Sequence, residues 1–354
     1  MFLGFAQSPA GAWNAVAGGD ELSGRARFTI GGKTIEKRFV LRLPAKWNGS
    51  LVIGAHGGSG GNAVDRVGRV YATSETALDD VIGEYVFHQG FAYASVDRDG
   101  VGGSDEGALL SVAFLAKADG EILKRTNLLP DRRFMVGLSA GGGITRRIAE
   151  DTPGGAVDGA LIIAGAGGDV ITRLDRQQRI GALWPLIDPR AHFGLKDTDP
   201  KIVAFADAIG TPVAARRLWP YTAASALAGS RPPATVENST ARPSIPVIEV
   251  VGTWDDLVIR EVRAYRERVE PKERHRLYQV EGVWHMSGDD DGVAGFQYAA
   301  ESRMKLDKDV ADAMGEGPSY IPTVREAFEY LVRWVEKGVA PPASQLIRPG
   351  VKLR

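Results

Sequence analysis

Five short apolar segments recur along the chain and limit the folds that it can adopt. They lie at 51–55, 91–96, 132–138, 159–165 and 246–252. Short, continuously apolar runs predict strands that are buried on both faces of a sheet. Segments with apolar residues three and four apart predict helices between them, at 63–78, 140–153, 258–270 and 323–338. This alternation predicts an α/β protein with a mostly parallel sheet and helices on both faces.

Two further strand segments have a different pattern. Residues 24–44 contain two stretches of alternating apolar and polar residues separated by Gly-Gly-Lys, which predicts an antiparallel pair. The pair makes the predicted sheet mixed. The segment 275–282 is more polar than the central strands, so we expect an edge strand that begins with an exposed His275.

One long segment interrupts the alternation. Residues 169–242 contain helix-like stretches, several aromatic residues and a proline-rich exit, and we interpret them as a helical cap inserted between two strands. Residues 1–168 and 243–354 then form the α/β core. A second, smaller insertion is predicted at 287–322.

The composition excludes several classes of function. The absence of cysteine excludes disulfides, thiolate metal sites and a cysteine nucleophile. Because 43 basic residues nearly balance 44 acidic ones, nothing in the charge favours nucleic acid or an anionic membrane as partner. No apolar run is long enough to span a bilayer. The apolar start, MFLGFAQSPA, is either the trimmed end of a signal peptide, which favours a secreted or periplasmic protein, or a loose terminus.

The segment GLSAG, at 137–141, matches the pattern G-x-S-x-G. A predicted buried strand precedes it and a predicted helix follows it, which is the context of a nucleophile elbow with Ser139 at its tip. Side chains at Gly137 and Gly141 would collide with neighbouring backbone in such a turn. The helix N-terminus would stabilise negative charge beside the hydroxyl. The alternative is a glycine-rich turn in which Ser139 caps the helix.

A nucleophilic serine needs a base and an acid that orients it, and here we expect the chain order serine, acid, histidine. Of the five histidines, His275 and His285 follow the last long apolar run, and the loop position of His285 predicts the base. Asp255, just after the strand in VVGTWDDLV, is the predicted acid, with Asp256 as runner-up. The alternative role for this pair is capping the following helix, and the two roles can hold at once, one for each aspartate.

The predicted oxyanion hole combines the amide of Ala140 with those of Gly57 and Gly58 in the loop HGGSGG. His56 and four tryptophans are candidate pocket residues, although ordinary packing accounts equally well for each tryptophan alone: Trp184, Trp219, Trp254 and Trp284. The run GDDDG at 288–292 lacks the alternating ligand spacing of a calcium loop, so we expect a solvated turn and no metal site.

Four segments around these residues resemble the tannase and feruloyl esterase family of the α/β-hydrolase fold: 43–61, 137–166, 252–258 and 328–342. The resemblance implies that fold, with an esterase site at Ser139. The family keeps a cysteine directly before the serine and directly after the histidine, joined by a disulfide. Leu138 and Met286 stand at those positions here, so we expect an apolar contact between them.

The residues and the resemblance together predict a serine carboxylesterase that needs no cofactor. The family's preference for aromatic acids carries over weakly because the predicted cap is short, so small and polyester-derived esters remain open. Two other classes also remain open. One is different acyl chemistry on the same residues, by a peptidase, lactonase or acyltransferase, and the other is a catalytically inactive binding module. The sequence does not indicate an oligomeric state.

Overall fold

The computed structural model of the chain describes residues 11–57, 63–64, 70–98, 101, 104–151, 156–166, 178, 198–209, 239–255, 258–283, 285 and 318–354. The strands in this part are β1 Asn14–Val16, β2 Gly19–Ile30, β3 Lys33–Pro44, β4 Ser50–Ala55, β5 Ala63–Val64, β6 Val70–Ala72, β7 Ala92–Val96, β8 Arg132–Leu138, β9 Gly159–Ile163, β10 Val247–Gly252, β11 His275–Val280 and β12 Gln345–Ile347. The α-helices are α1 Glu84–His88, α2 Ser104–Thr126, α3 Ala140–Asp151, α4 Pro200–Ile209, α5 Ile259–Arg268 and α6 Ile321–Lys337. A π-helical turn, Asp79–Gly83, precedes α1, and 3₁₀ turns lie at Ser74–Thr76 and Lys272–Arg274.

A ten-stranded sheet organises the described part of the chain, in the order β1-β2-β3-β7-β4-β8-β9-β10-β11-β12. The seven strands from β7 to β12 in this order pair in parallel. The first three strands and the contact between β3 and β7 are antiparallel. The predicted mixed, mostly parallel sheet is therefore confirmed. The strands β4, β7, β8, β9 and β10 coincide with the five apolar runs.

Consecutive strand residues point to opposite sides of the sheet, so the continuously apolar central strands give it two apolar faces. Helices cover both of these faces. On one face, Val52 and Phe134 belong to a core cluster that includes α6, where Phe134 and Phe328 stack edge-on with ring centroids 5.7 Å apart. On the other face, Leu51 and Met135 belong to a cluster formed with α2 and α3. No helix in the described ranges combines the length and the apolar character that crossing a membrane requires.

Three local predictions were wrong or incomplete. The segment predicted as one helix at 63–78 instead contains the short antiparallel pair β5 and β6, consistent with the strand preference of Val64, Val70 and Tyr71. The strand β11 is not an edge strand, because it pairs with β10 on one side and β12 on the other. The 23-residue helix α2 was not predicted, although it crosses from β7 to β8.

His275 was predicted to be exposed, and this was also wrong. Its side chain has no exposed surface, and its Nε2 lies 3.4 Å from Oε2 of the equally buried Glu249 on the neighbouring strand β10. Burial lowers the pKa of His275, since charging an imidazole away from water is unfavourable. The first residue of this strand thus makes a buried contact with a carboxylate instead of facing solvent.

The order of the strands defines where a ligand can bind. The chain runs from β4 to β7 on one side and then returns to β8 on the other side of β4. The carboxyl ends of β4 and β8 therefore lie side by side where the direction of the chain reverses, which is the place where ligands usually bind in open α/β sheets. Of the predicted cap at 169–242, the structure describes α4, residue 178, residues 198–199 and residues 239–242, so its extent remains a prediction.

One buried carboxyl makes the stability of the fold depend on pH. Burial raises the pKa of Asp79 from its ordinary 3.8 to about 6, and this outweighs the lowering by the Arg42 guanidinium. The Arg42 Nη2 atom lies 2.8 Å from Asp79 Oδ2. Because the folded-state pKa exceeds the unfolded value, ionising this carboxyl opposes folding.

We expect the protonated Asp79 carboxyl to favour the folded state. This contribution to the free energy of unfolding is fully present below about pH 4 and is lost as the pH rises through about 6. Asp79→Asn removes this titration. The difference in free energy of unfolding, wild type minus variant, should therefore fall by about 2 to 3 kcal/mol between about pH 4 and about pH 7. Urea unfolding at the two pH values measures it, and a constant difference would contradict the assignment.

Candidate active site

Ser139 occupies a strained turn between β8 and α3. Its φ of 54° lies in the left-handed region, which costs a non-glycine residue about 1–2 kcal/mol. Its N–H donates to the Ile163 carbonyl at 2.8 Å, and its own carbonyl accepts from the Ala166 N–H at 2.9 Å. Helix α3 begins at Ala140, as predicted, so the positive end of the helix dipole lies beside the hydroxyl.

The two glycines of GLSAG allow this turn to form. A Cβ atom on Gly137 would lie 2.1 Å from the carbonyl oxygen of Gly141, and one on Gly141 would lie 1.9 Å from that of Ala55. Both distances are far below van der Waals contact. The turn therefore requires glycine at both positions, for the reason that the sequence indicated.

Ser139 is the first member of a hydrogen-bonded chain of three side chains. Its Oγ lies 2.9 Å from Nε2 of His285, and Nδ1 of the same ring lies 2.8 Å from Oδ2 of Asp255. The Asp255 side chain is fully buried, whereas that of His285 is 13% exposed. The structure thus brings together the three residues that the sequence singled out as nucleophile, base and acid.

Both carboxylate oxygens of Asp255 accept hydrogen bonds. While Oδ2 pairs with His285, Oδ1 accepts a hydrogen bond from the Val258 N–H at 3.1 Å, just before α5. Of the two roles predicted for the aspartate pair, orientation of a histidine and helix capping, the contacts of Asp255 match the first, since its bond to Val258 precedes the helix and does not cap it. Asp256 lies outside the described residues.

The backbone around His285 is tied to its neighbours on two sides. The Trp254 N–H donates to the Val283 carbonyl at 3.0 Å, which joins the acid loop to the histidine loop. The Tyr320 hydroxyl donates to the His285 carbonyl at 3.0 Å. Burial and the nearby Asp255 raise the pKa of Tyr320, so it remains a neutral donor. No feature of the sequence around Tyr320 indicated this role.

The loop after β4 reaches the same place. A Cβ on Gly57 would lie 3.0 Å from the Cβ of Ser139, so the backbone of this loop runs directly beside the serine. His56 is 2% exposed, and its Nδ1 lies 2.8 Å from the Gly57 carbonyl. Its Nε2 accepts from the Arg98 N–H at 3.3 Å, and the Arg98 guanidinium donates to the His56 carbonyl at 2.6 Å.

Those contacts define the tautomer of the His56 imidazole. Since Nε2 accepts a hydrogen bond, Nδ1 carries the proton and donates it to the Gly57 carbonyl. The imidazole therefore lies within its own loop and holds the Gly57 carbonyl in one orientation. Arg98, which follows the end of β7, holds the loop from the adjacent strand end.

Several predicted residues lie outside the described part of the chain. They are Gly58, Met286, Trp184, Trp219, Trp284 and the acidic run at 288–292. The expected contact between Leu138 and Met286 therefore stays a prediction, while Leu138 itself packs against the core cluster that includes α6. Trp254 is half-buried beside the acid. Within the described ranges, no group of three His, Asp or Glu side chains is placed to hold a metal ion.

Comparison with known proteins identifies the family. A family model described as an alpha/beta hydrolase domain matches residues 111–350, about two thirds of the 354 residues. The chain belongs to the α/β-hydrolase domain family. Curated proteins give no match to this α/β-hydrolase.

Solved structures agree with this fold. Feruloyl esterase B from Aspergillus oryzae matches with a TM-score of 0.54 at 13% identity, covering 94% of this α/β-hydrolase and 86% of that chain. Vibralactone cyclase matches with a TM-score of 0.50 at 15% identity, covering 89% and 81% of the two chains. The predicted α/β-hydrolase fold and the likeness to a feruloyl esterase are confirmed. At these identities the likeness concerns the fold alone.

We expect Gly141→Ala to lower the free energy of unfolding by about 2 kcal/mol or more, because the added methyl group overlaps the Ala55 carbonyl. Gly120→Ala in α2 is the control, since a Cβ there meets nothing within 4 Å and should stabilise the helix by about 0.5–1 kcal/mol. Urea unfolding of both variants measures the effects. Equal stability of the two variants would contradict the close packing of the elbow.

Proposed function

We propose that this α/β-hydrolase is a serine carboxylic ester hydrolase. One observation carries the proposal: the hydroxyl of Ser139, on a left-handed turn at a helix N-terminus, hydrogen-bonds to an imidazole that is itself held by a buried carboxylate. A serine needs such a base to become a nucleophile at neutral pH. Family membership supports hydrolysis, but the fold alone does not define a reaction.

The proposed reaction begins with proton transfer from Ser139 Oγ to Nε2 of His285 as the oxygen attacks the ester carbonyl. The Asp255 carboxylate accepts the Nδ1–H of the ring, which maintains the tautomer and stabilises the imidazolium that forms. General-base catalysis of this kind contributes about 10²- to 10⁴-fold to the rate. His285 then donates its proton to the leaving alcohol, and an acyl group remains on Ser139.

Water completes the cycle by the same steps. His285 removes a proton from the water, which attacks the acyl-enzyme carbonyl, and the proton returns to Ser139 as the carboxylic acid leaves. No cofactor takes part in this scheme. The three side chains return to the arrangement in which they began.

The proposed oxyanion donors are the amides of Ala140 and Gly57, with Gly58 as a third candidate. Two facts support this choice. Ala140 is the first residue of α3, and the backbone of Gly57 runs beside the serine. The hydrogen bond from the Arg98 guanidinium to the His56 carbonyl restrains the peptide group that carries the Gly57 N–H before substrate arrives, which is the preorganisation that such a site requires. The hydrogen bond from the His56 ring restrains the Gly57 carbonyl, on the other side of the same residue. We therefore propose that His56 positions this loop.

The proposed substrate is an ester of a small carboxylic acid. The resemblance to the tannase and feruloyl esterase segments favours an aromatic acid, and polyester-derived esters remain an alternative. A panel of methyl ferulate, p-nitrophenyl acetate, an alkyl ester and a polyester oligomer separates these classes by their kcat/KM values. The highest value for an alkyl or polyester substrate would overturn the aromatic preference.

We expect a fluorophosphonate to label wild-type protein stoichiometrically at Ser139. Ser139→Ala should abolish labelling and lower kcat for p-nitrophenyl acetate by about 10⁴-fold or more. Mass spectrometry of the labelled peptide and initial rates measure these effects. An unlabelled wild type would indicate a binding module, and faster cleavage of an aminoacyl anilide than of the ester would indicate a peptidase.

We expect Asp255→Asn to lower kcat by about 10³- to 10⁴-fold, because an amide no longer selects the tautomer in which Nε2 of His285 accepts a proton. Asp256→Asn is the matched variant, and its kcat should remain within about threefold of wild type. Steady-state rates with p-nitrophenyl acetate compare the two. Equal losses would leave Asp255 without a special role.

A further inference from the structure

A buried arginine lies beneath the proposed nucleophile. Arg146 is on α3, two helical turns after Ser139, and its side chain is 2% exposed. Its Nη2 donates to Oε1 of the fully buried Glu249 at 2.6 Å, and its Nη1 donates to the Ala166 carbonyl at 2.8 Å. The guanidinium also lies over the Tyr265 ring, 4.6 Å from its centroid.

The contact with Ala166 leads directly to the serine. Residues 163–166 bind both main-chain groups of Ser139, since the Ile163 carbonyl accepts from its N–H and the Ala166 N–H donates to its carbonyl. Within this turn, Ala164 has a left-handed φ of 46°. The serine elbow is therefore hydrogen-bonded to a second turn with a left-handed residue, and Arg146 donates a hydrogen bond to the last residue of that turn.

The contact with Glu249 leads to the acid. Glu249 is on β10, and three residues after the end of this strand the chain reaches Asp255. Its second oxygen faces Nε2 of the buried His275 at 3.4 Å. One guanidinium thus joins the nucleophile helix, the turn behind the nucleophile and the strand that carries the acid.

Close packing prevents this arrangement from adjusting. A Cβ on Gly142 would lie 2.6 Å from the Cα of Gly165, so the first turn of α3 presses against the 163–166 turn. A Cβ on Gly165 would lie 2.9 Å from Arg146 Nη2 and 3.0 Å from Glu249 Oε1. The ion pair fills the space directly behind this turn.

We propose that Arg146, paired with Glu249, is a positioning residue that holds the Ser139 elbow in its reactive conformation relative to the acid strand. The proposal rests on the proposed role of Ser139 as nucleophile. The planar fork of the guanidinium donates to the Ala166 carbonyl and to the carboxylate at once, whereas an ammonium group is a single point of charge. Removing the fork should misplace the hydroxyl without altering substrate binding.

The test variant is Arg146→Met with Glu249→Gln, which removes both charges and leaves neither one buried without a partner. We expect kcat for p-nitrophenyl acetate and the fluorophosphonate labelling rate to fall about 10- to 100-fold, since small misplacements of a reacting atom have effects of this size. KM should remain within about threefold. A merely structural role predicts a lower melting temperature with unchanged kcat.

The matched control is Arg133→Met with Asp119→Asn. This pair lies 2.9 Å apart, and Arg133 is at the start of β8, the end of the strand far from Ser139. Its kcat should stay within about threefold of wild type. An equal loss in the control, or no loss in the test variant, overturns the inference.

Arg146→Lys provides a second measurement, with an expected loss of about tenfold in kcat at an unchanged KM. It decides the question if the double variant does not fold, and an unchanged kcat then overturns the inference. If neither variant folds, the pair acts in folding and the inference is wrong. Wild type that is not labelled at Ser139 instead overturns the proposed function.

Discussion

The left-handed backbone of Ser139 is the constraint on which the rest of the site depends. A non-glycine residue adopts this conformation when its surroundings compensate for the strain. Here two main-chain hydrogen bonds from the turn after β9 and the contacts at Gly137 and Gly141 provide that compensation. The hydroxyl is consequently directed towards the loops that follow β4 and β11.

Parallel pairing in the centre of the sheet explains why these loops converge. The strands β4, β8 and β10 all end at the same edge, so Gly57, Ser139 and Asp255 follow three strand ends of one sheet. His285 completes the arrangement from the loop after β11. Each of the three residues accepts a further hydrogen bond that restrains it. The Ala166 N–H donates to the Ser139 carbonyl, the Val258 N–H donates to the Asp255 carboxylate, and the Tyr320 hydroxyl donates to the His285 carbonyl.

Buried charge recurs around this framework. The Arg146–Glu249 pair is almost completely enclosed, and Asp255 is buried against a histidine. Burying a charge is unfavourable unless it is paired. A partner that moved away would leave such a charge unpaired, so each of these groups restricts the positions of its partners. In this way the electrostatics of the interior reinforces the geometry of the surface site.

The sequence by itself predicted the central strands and the three residues whose side chains form the hydrogen-bonded chain, because short apolar runs and the context of GLSAG are local signals. It did not predict α2, and it assigned a helix where β5 and β6 lie, since apolar spacing alone does not separate short strands from helices. The burial of His275 and its pairing with Glu249 depended on tertiary structure, because 26 residues separate the two. The same holds for Arg146 and Glu249, which are 103 residues apart. Contacts between residues so far apart in the chain form when the strands pair and the helices pack on the sheet, and no local pattern of residues predicts them.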